Sequence, residues 1–227
     1  LADSLKQFVT EEPDAEYFFI GQMDFKTCCT CASCQASTRQ YAQSGTQIRM
    51  LNAVLREVQA WADTQPELNG KKIQVVTFSY LYSTDAPVVR DASTGEYVAV
   101  DESVVPDENM HIRLTPFNAN WYYALSDPLQ SATFREYLAQ WGAICSKFMV
   151  WDYGADFSNF FRYLPTIQRI KKDLKAYQDI GVTYYMQQNA HTEYNTVLAV
   201  MDSYVINKML WDTDRDPYAL RREFISL

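Results

Sequence analysis

The chain has 227 residues, 48 % of them hydrophobic, and a formal net charge of −8. It is long enough for one large domain or two small ones and apolar enough to bury a sizeable core, which excludes a disordered polypeptide. The acidic balance argues against a nucleic-acid partner, which wants a basic face, and no apolar run approaches the ~20 residues of a membrane span.

Taken in chain order, residues 2–10 read as the end of a helix. Glu16–Met23 (EYFFIGQM) is predicted as the first strand, and residues 24–44 as a long loop rich in Cys, Thr and Gln. Ile48, Leu51, Leu55, Val58 and Ala62 recur at helical spacing and predict a helix over Thr46–Ala62, ended by Pro66, Asn69 and Gly70. Ile73–Tyr80 (IQVVTFSY) is predicted as the second strand. Within 86–104, two β-prone arms flank Ser93–Gly95 and predict a hairpin excursion. Met110–Thr115 is the third strand, followed by a loop carrying Asn118, Asn120, Trp121, Tyr122 and Tyr123.

A helix is predicted over Ala132–Cys145, with Phe134, Leu138 and Trp141 on one side. Phe148 to Trp151 is an apolar run without polar alternation, as in a strand covered on both faces, and Asp152, Tyr153, Gly154, Asp156, Ser158 and Asn159 follow it. An acid at the carboxyl end of a buried strand is where α/β folds place their chemistry; an Asp capping the next turn is the plainer explanation. Thr166–Ile180 reads as a helix capped by Gly181, Val182–Gln187 as the fifth strand, and Tyr194–Trp211 as a long helix. Asp212–Pro217 breaks that helix, and a last one runs from Tyr218.

Strands followed by helices imply a parallel α/β sheet. No glycine-rich phosphate loop follows any strand, which disfavours a nucleotide binder. A complete barrel needs eight strands and ~250 residues. Five units fit a partial TIM-type (β/α) barrel, or the C-terminal part of one, occupying residues 1–227 as a single domain with the hairpin inserted. The chain begins at Leu1 rather than Met, so native targeting is not readable.

The segments GQMD (21–24), CCTCASC (28–34), WGAICSKFMVWDYGADFSNF (141–160) and LWD (210–212) resemble domain-of-unknown-function family 4838. That family is grouped with barrel glycoside hydrolases and is distantly similar to α-glucuronidases. The resemblance implies a barrel, a carbohydrate or glycan ligand, no required cofactor, and a secreted or cell-surface setting. It leaves the oligomeric state open.

Glycoside hydrolysis uses two carboxyl groups flanking one bond. Asp24 after the first strand and Asp152 at the end of the fourth are the catalytic candidates, and the resemblance implies Asp at both. Where it implies Glu-Gln at the end of the fifth strand, this chain has Gln187 and Gln188. An amide orients a sugar hydroxyl but does not perform acid–base work. The alternatives to a hydrolase are therefore a non-catalytic glycan-binding barrel or a family fragment of unknown function whose active site needs further strands. Gln22, Tyr80, Arg113, Trp121, Tyr153, Asn159, Gln187, Gln188 and His191 are the candidate sugar contacts; Arg113 could pair with a uronate or with a barrel Asp. Asp156 and Glu193 are weaker acid candidates. His111 and His191 are too far apart in sequence to read as a metal pair.

Cys28, Cys29, Cys31 and Cys34 lie within seven residues. A C-x-C-x2-C run can converge on a structural zinc ion, with Cys28 or a distant residue as fourth ligand, and free thiols or a disulfide fit the same spacing. Cys145 reads as a buried helix-end residue.

Overall fold

The computed structural model describes residues 1–25, 27–159, 162–189 and 198–227. Its strands are β1 Tyr17–Phe19, β2 Gln74–Ser79, β3 Val88–Arg90, β4 Tyr97–Ala99, β5 Met110–Leu114, β6 Phe148–Tyr153 and β7 Val182–Gln188. Its helices are α1 Ala2–Glu11, α2 Ala32–Ala62, α3 Ala132–Arg135, α4 Tyr137–Gly142, α5 Thr166–Asp179, α6 Ala199–Trp211 and α7 Pro217–Ile225. Five parallel strands in the order β1-β2-β5-β6-β7 make a partial TIM-type α/β fold with helices between them, and β3 and β4 pair antiparallel as the expected hairpin. None of the described helices is long and apolar enough to cross a membrane.

The chain divides into two compact units, Leu1–Thr115 with Ala139–Met149, and Pro116–Leu138 with Val150–Leu227. In the first, β2 runs parallel to β1 through Phe18↔Val75 and to β5 through Val76↔His111. Its buried residues include Leu5 and Val9 of α1, Ile48, Leu51, Leu55 and Val58 of α2, and Val75, Val76, Ile112 and Leu114 of the strands. All positions of β5 (MHIRL) are buried, the ionisable His111 and Arg113 as well as Met110, Ile112 and Leu114, so the strand is covered on both faces.

In the second unit, α5 repeats apolar residues at helical spacing, and Ile167, Ile170 and Leu174 form a core with Val205, Ile206 and Met209 of α6 and Leu220 of α7. Gly181, just beyond α5, takes φ +83°, a left-handed conformation that costs glycine no Cβ clash, and its amide bonds to Gln178 O at 3.0 Å.

Three boundaries differ from the sequence reading. The long loop after the first strand is helical from Ala32, and α2 is broken at Ala42 (φ 59°, ψ 173°). That first half is built of Ala, Ser, Thr and Gln, so it carries no apolar period to detect. The first strand is shorter, because β1 makes its ladder only over Tyr17–Phe19, with Ile20 N still bonding to Val76 O at 2.9 Å. The helix predicted over Ala132–Cys145 is interrupted at Glu136 (φ −106°, ψ 0°), where Phe134 and Tyr137 turn into the core side by side.

Candidate functional site

The carboxyl ends of β6 and β7, with the loop over 116–131, gather most of the chemistry of the second unit. The arrangement starts from one buried cation. Arg169 Nη1 and Nη2 meet Asp152 Oδ2 and Oδ1 at 2.9 and 3.0 Å, Nη1 also reaches Asp173 Oδ2 at 2.7 Å, and Nη2 donates to Tyr153 O at 3.0 Å. Asp173 Oδ1 in turn accepts the Leu125 amide at 2.8 Å. A single guanidinium thus ties the end of β6 to α5 and to the loop that carries Trp121.

The electrostatics follow from two acids sharing one cation in a dry place. Burial pulls the Arg169 guanidinium down, but Asp152 and Asp173 outweigh it and hold it well above its ordinary value. Burial, partly opposed by Arg169, raises Asp173 to about 6. Tyr177 and Tyr185 are pushed well above the usual phenol range by burial and then by the Asp152 charge.

Gln130 fixes the same loop from its other end. Its Oε1 accepts the amides of Asn120 and Ser131 at 2.9 and 3.0 Å, and its Nε2 donates to Asn120 O and Tyr123 O at 3.0 and 3.3 Å. Held this way, the Trp121 ring stacks on Tyr153 (centroids 5.1 Å, 14° between planes). Phe117 and Phe157 meet Tyr153 edge-on at 5.3 and 5.8 Å. Tyr153 is buried, Trp121, Phe117 and Phe157 are half-buried, and the adjoining Tyr122 is 46 % exposed.

On the next residue, Gly154, the aromatic group meets a row of amides. Gly154 N bonds to Gln188 O at 2.9 Å. Tyr185, Gln187 and Asn189 alternate along β7 and its end, so they share one face. The Tyr185 hydroxyl lies 3.2 Å from both Asp152 Oδ2 and Gln187 Oε1. Asn189 Nδ2 donates to Ser203 Oγ at 2.9 Å. On the opposite face, Gln188 Oε1 accepts the Trp151 indole N–H at 2.9 Å.

A Cβ at Gly154 would collide with the side-chain ends of Gln187 and Asn189. Both are the far ends of flexible chains, so Gly154→Ala is expected to change stability by less than about 1 kcal/mol while displacing both amides. The check is a pair of measurements on the full chain, the denaturation midpoint and the side-chain NH2 resonances of Gln187 and Asn189. A collapsed midpoint, or unmoved resonances, would contradict this packing.

The remaining candidates fall as follows. Asp152 has 0 % of its surface exposed and both its oxygens are engaged. Asn159 is exposed, in the turn after β6, where its amide bonds to Asp156 O at 3.1 Å. Asp156 pairs with Arg162, and the Ser158 hydroxyl followed by that arginine draws its carboxyl down. His191, like Glu193, lies outside the described residues.

In the first unit, Asp24 is exposed on the loop after β1. Gln22 donates to Tyr80 O at 2.6 Å and accepts from Ser83 Oγ at 2.7 Å, which joins the loops after β1 and β2. Arg113 is buried, its guanidinium 5.3 and 5.5 Å from the Phe19 and Phe78 ring centres. The Cys29, Cys31 and Cys34 sulfurs cluster, while Cys28 Sγ accepts from Gln43 Nε2 at 2.8 Å. The Cys34 backbone amide lowers the Cys31 thiol to about 7, and Cys34, donating to Cys31, is raised to about 11. His111 is buried near the start of β5, edge-on to Tyr17 at 5.1 Å and 3.1 Å from Gln74 Oε1, and burial lowers its pKa.

Sequence reasoning missed Arg169, Asp173, Gln130 and Tyr185. A signal for the first two existed. Asp173 sits between Ile170 and Leu174 on the stripe that α5 buries, and Arg169 precedes it by one turn. A charge of each sign on an apolar stripe marks a buried pair.

Over residues 1–227 the sequence matches a family model described as a domain of unknown function, DUF4838. Neither the curated proteins nor the solved structures contain a match to the chain.

Proposed function

The chain belongs to the DUF4838 family of domains of unknown function, and from the strand ends of its second unit we propose that it binds carbohydrate there without cleaving it. The observation that carries this reading is the junction at Tyr153–Gly154. One residue holds the stacked aromatic group and the next abuts the amides of Gln187 and Asn189. Sugar rings present apolar C–H faces and a rim of hydroxyls. A half-buried Trp121 beside an exposed Tyr122 suits the faces, and primary amides, which donate and accept side by side, suit the rim.

The state of Asp152 supports binding over hydrolysis. A general acid or nucleophile must reach the reacting bond. Asp152 is enclosed, and its charge is used to hold Arg169. Its part in this account is to position β6, Tyr153 and the aromatic loop. The one observation favouring hydrolysis is Asp24, an exposed carboxyl after β1.

A glycan-array screen of the full chain, followed by product analysis on each hit, tests the proposal. Binding with no release of new reducing ends is the expected outcome. Cleavage that disappears in Asp24→Asn would replace the proposal with a hydrolase. An array without any binding would overturn the carbohydrate reading. Asp152→Asn is a poor probe of catalysis here, because it disturbs the ion pair on which the site is built.

A further inference from the structure

The cysteines between β1 and α2 play no part in the site above. The Sγ atoms of Cys29, Cys31 and Cys34 all lie within 4.8 Å of one another. Tetrahedral zinc with Zn–S bonds of ~2.3 Å places its sulfurs ~3.8 Å apart. Closing the three onto one ion therefore takes side-chain adjustments of under about 1 Å each.

The backbone has already set this arrangement. Cys31 stands at the N-cap of α2 in an extended conformation (φ −64°, ψ 156°), and its carbonyl accepts the Gln35 amide at 3.0 Å. Cys34 lies in the first turn, where the Thr38 hydroxyl bonds to its carbonyl at 2.9 Å. Cys29 comes from the loop just before. Cys29 and Cys31 are exposed and Cys34 is half-buried, so an ion has a path in. Cys28 is committed elsewhere, its sulfur accepting from Gln43, whose amide also donates to Thr38 Oγ1 at 2.6 Å.

We propose that Cys29, Cys31 and Cys34 bind one thiophilic divalent ion, zinc, as three thiolates, with the fourth position open to water or an external ligand. Soft sulfur donors select zinc over magnesium or calcium. The ion would clamp the loop after β1, the loop that carries Gln22 and Asp24, onto the start of α2. Each thiol that binds gives up its proton, so affinity rises with pH.

Cobalt(II) alone, titrated into the reduced full chain without oxygen, is the probe. The proposal expects a sulfur-to-cobalt charge-transfer band in the near ultraviolet and intense visible bands of a tetrahedral site. Both should saturate at one equivalent and disappear on adding zinc. Cys34→Ser should weaken binding by about 100-fold or more, since losing a ligand costs at least what losing a ligand's own support does. Cys28→Ser and Cys145→Ser should leave the spectrum and affinity unchanged. The far-ultraviolet dichroism of wild type with and without chelator separates metal loss from unfolding. Absence of the charge-transfer band with reduced thiols would overturn the site, as would a Cys28→Ser loss equal to that of Cys34→Ser.

Discussion

Arg169→Met is expected to lower the stability of the second unit by about 3–5 kcal/mol at pH 7, the usual cost of stranding a buried charge. Methionine fills much of the same volume, so the loss is electrostatic rather than a cavity. Asp152 and Asp173 would be left facing each other with 0 % and 1 % of their side-chain surfaces exposed. The Tyr153 carbonyl would also lose a donor. The loss should be reversible by chemistry. Adding Asp152→Asn and Asp173→Asn to Arg169→Met removes both stranded charges, while amide oxygens still accept from the Tyr153 and Leu125 backbone. More than half of the stability should return. Chemical denaturation, followed by the fluorescence of Trp121, Trp151 and Trp211 in that unit, measures both variants. A loss under about 1 kcal/mol in the single variant, or no recovery in the triple, would mean that Arg169 does not organise the strand ends.

Asp202→Asn is expected to stabilise the chain by an amount that grows as pH rises above about 4 and is complete by about pH 8. Asp202 is 5 % exposed on α6, and one of its carboxyl oxygens has no hydrogen-bond partner among the described residues. Burial, only partly offset by Arg221, raises it from 3.8 to about 7. The proton is therefore held more tightly in the folded chain than in the unfolded one. The stability that depends on it is complete below pH ~4 and is lost as pH rises through ~7. By pH 8 that loss amounts to as much as about 4 kcal/mol. Asparagine keeps the shape and removes the titration. Unfolding free energies from pH 4 to 8 should fall less steeply in the variant, the two proteins should agree near pH 4, and the variant should lead at pH 8. Some slope between pH 4 and 6 should remain in both, because Asp173 also releases its proton there. Parallel curves for the two proteins would contradict this account of Asp202.

The parts of the fold legible in the sequence were those with a strong period. β2 and β6 are largely apolar runs that end in polar loops, β5 alternates apolar residues with His111 and Arg113, and α5 shows its stripe openly. The first half of α2 has no stripe, so its helicity rests on local propensity alone, and Glu136 gives no sign that a helix stops there. The site divides along the same line. Asp152 could be placed at a strand end because strand ends follow from hydrophobic pattern. Its partner could not, because pairing with Arg169 across 17 residues depends on how α5 docks on β6. The aromatic residues were visible one by one, but stacking of Trp121 on Tyr153 needs a loop tied down by Gln130 and Asp173. Loop closure of that kind leaves no periodic trace.

The most direct test of the carbohydrate site is calorimetric titration of the best array ligand into wild type and Trp121→Ala, after the two are shown to unfold at the same denaturant concentration. The account predicts saturable binding to wild type and an affinity about tenfold or more lower for Trp121→Ala, the scale of one lost aromatic contact. Equal affinities would place the ligand away from the Tyr153–Gly154 junction and contradict the account.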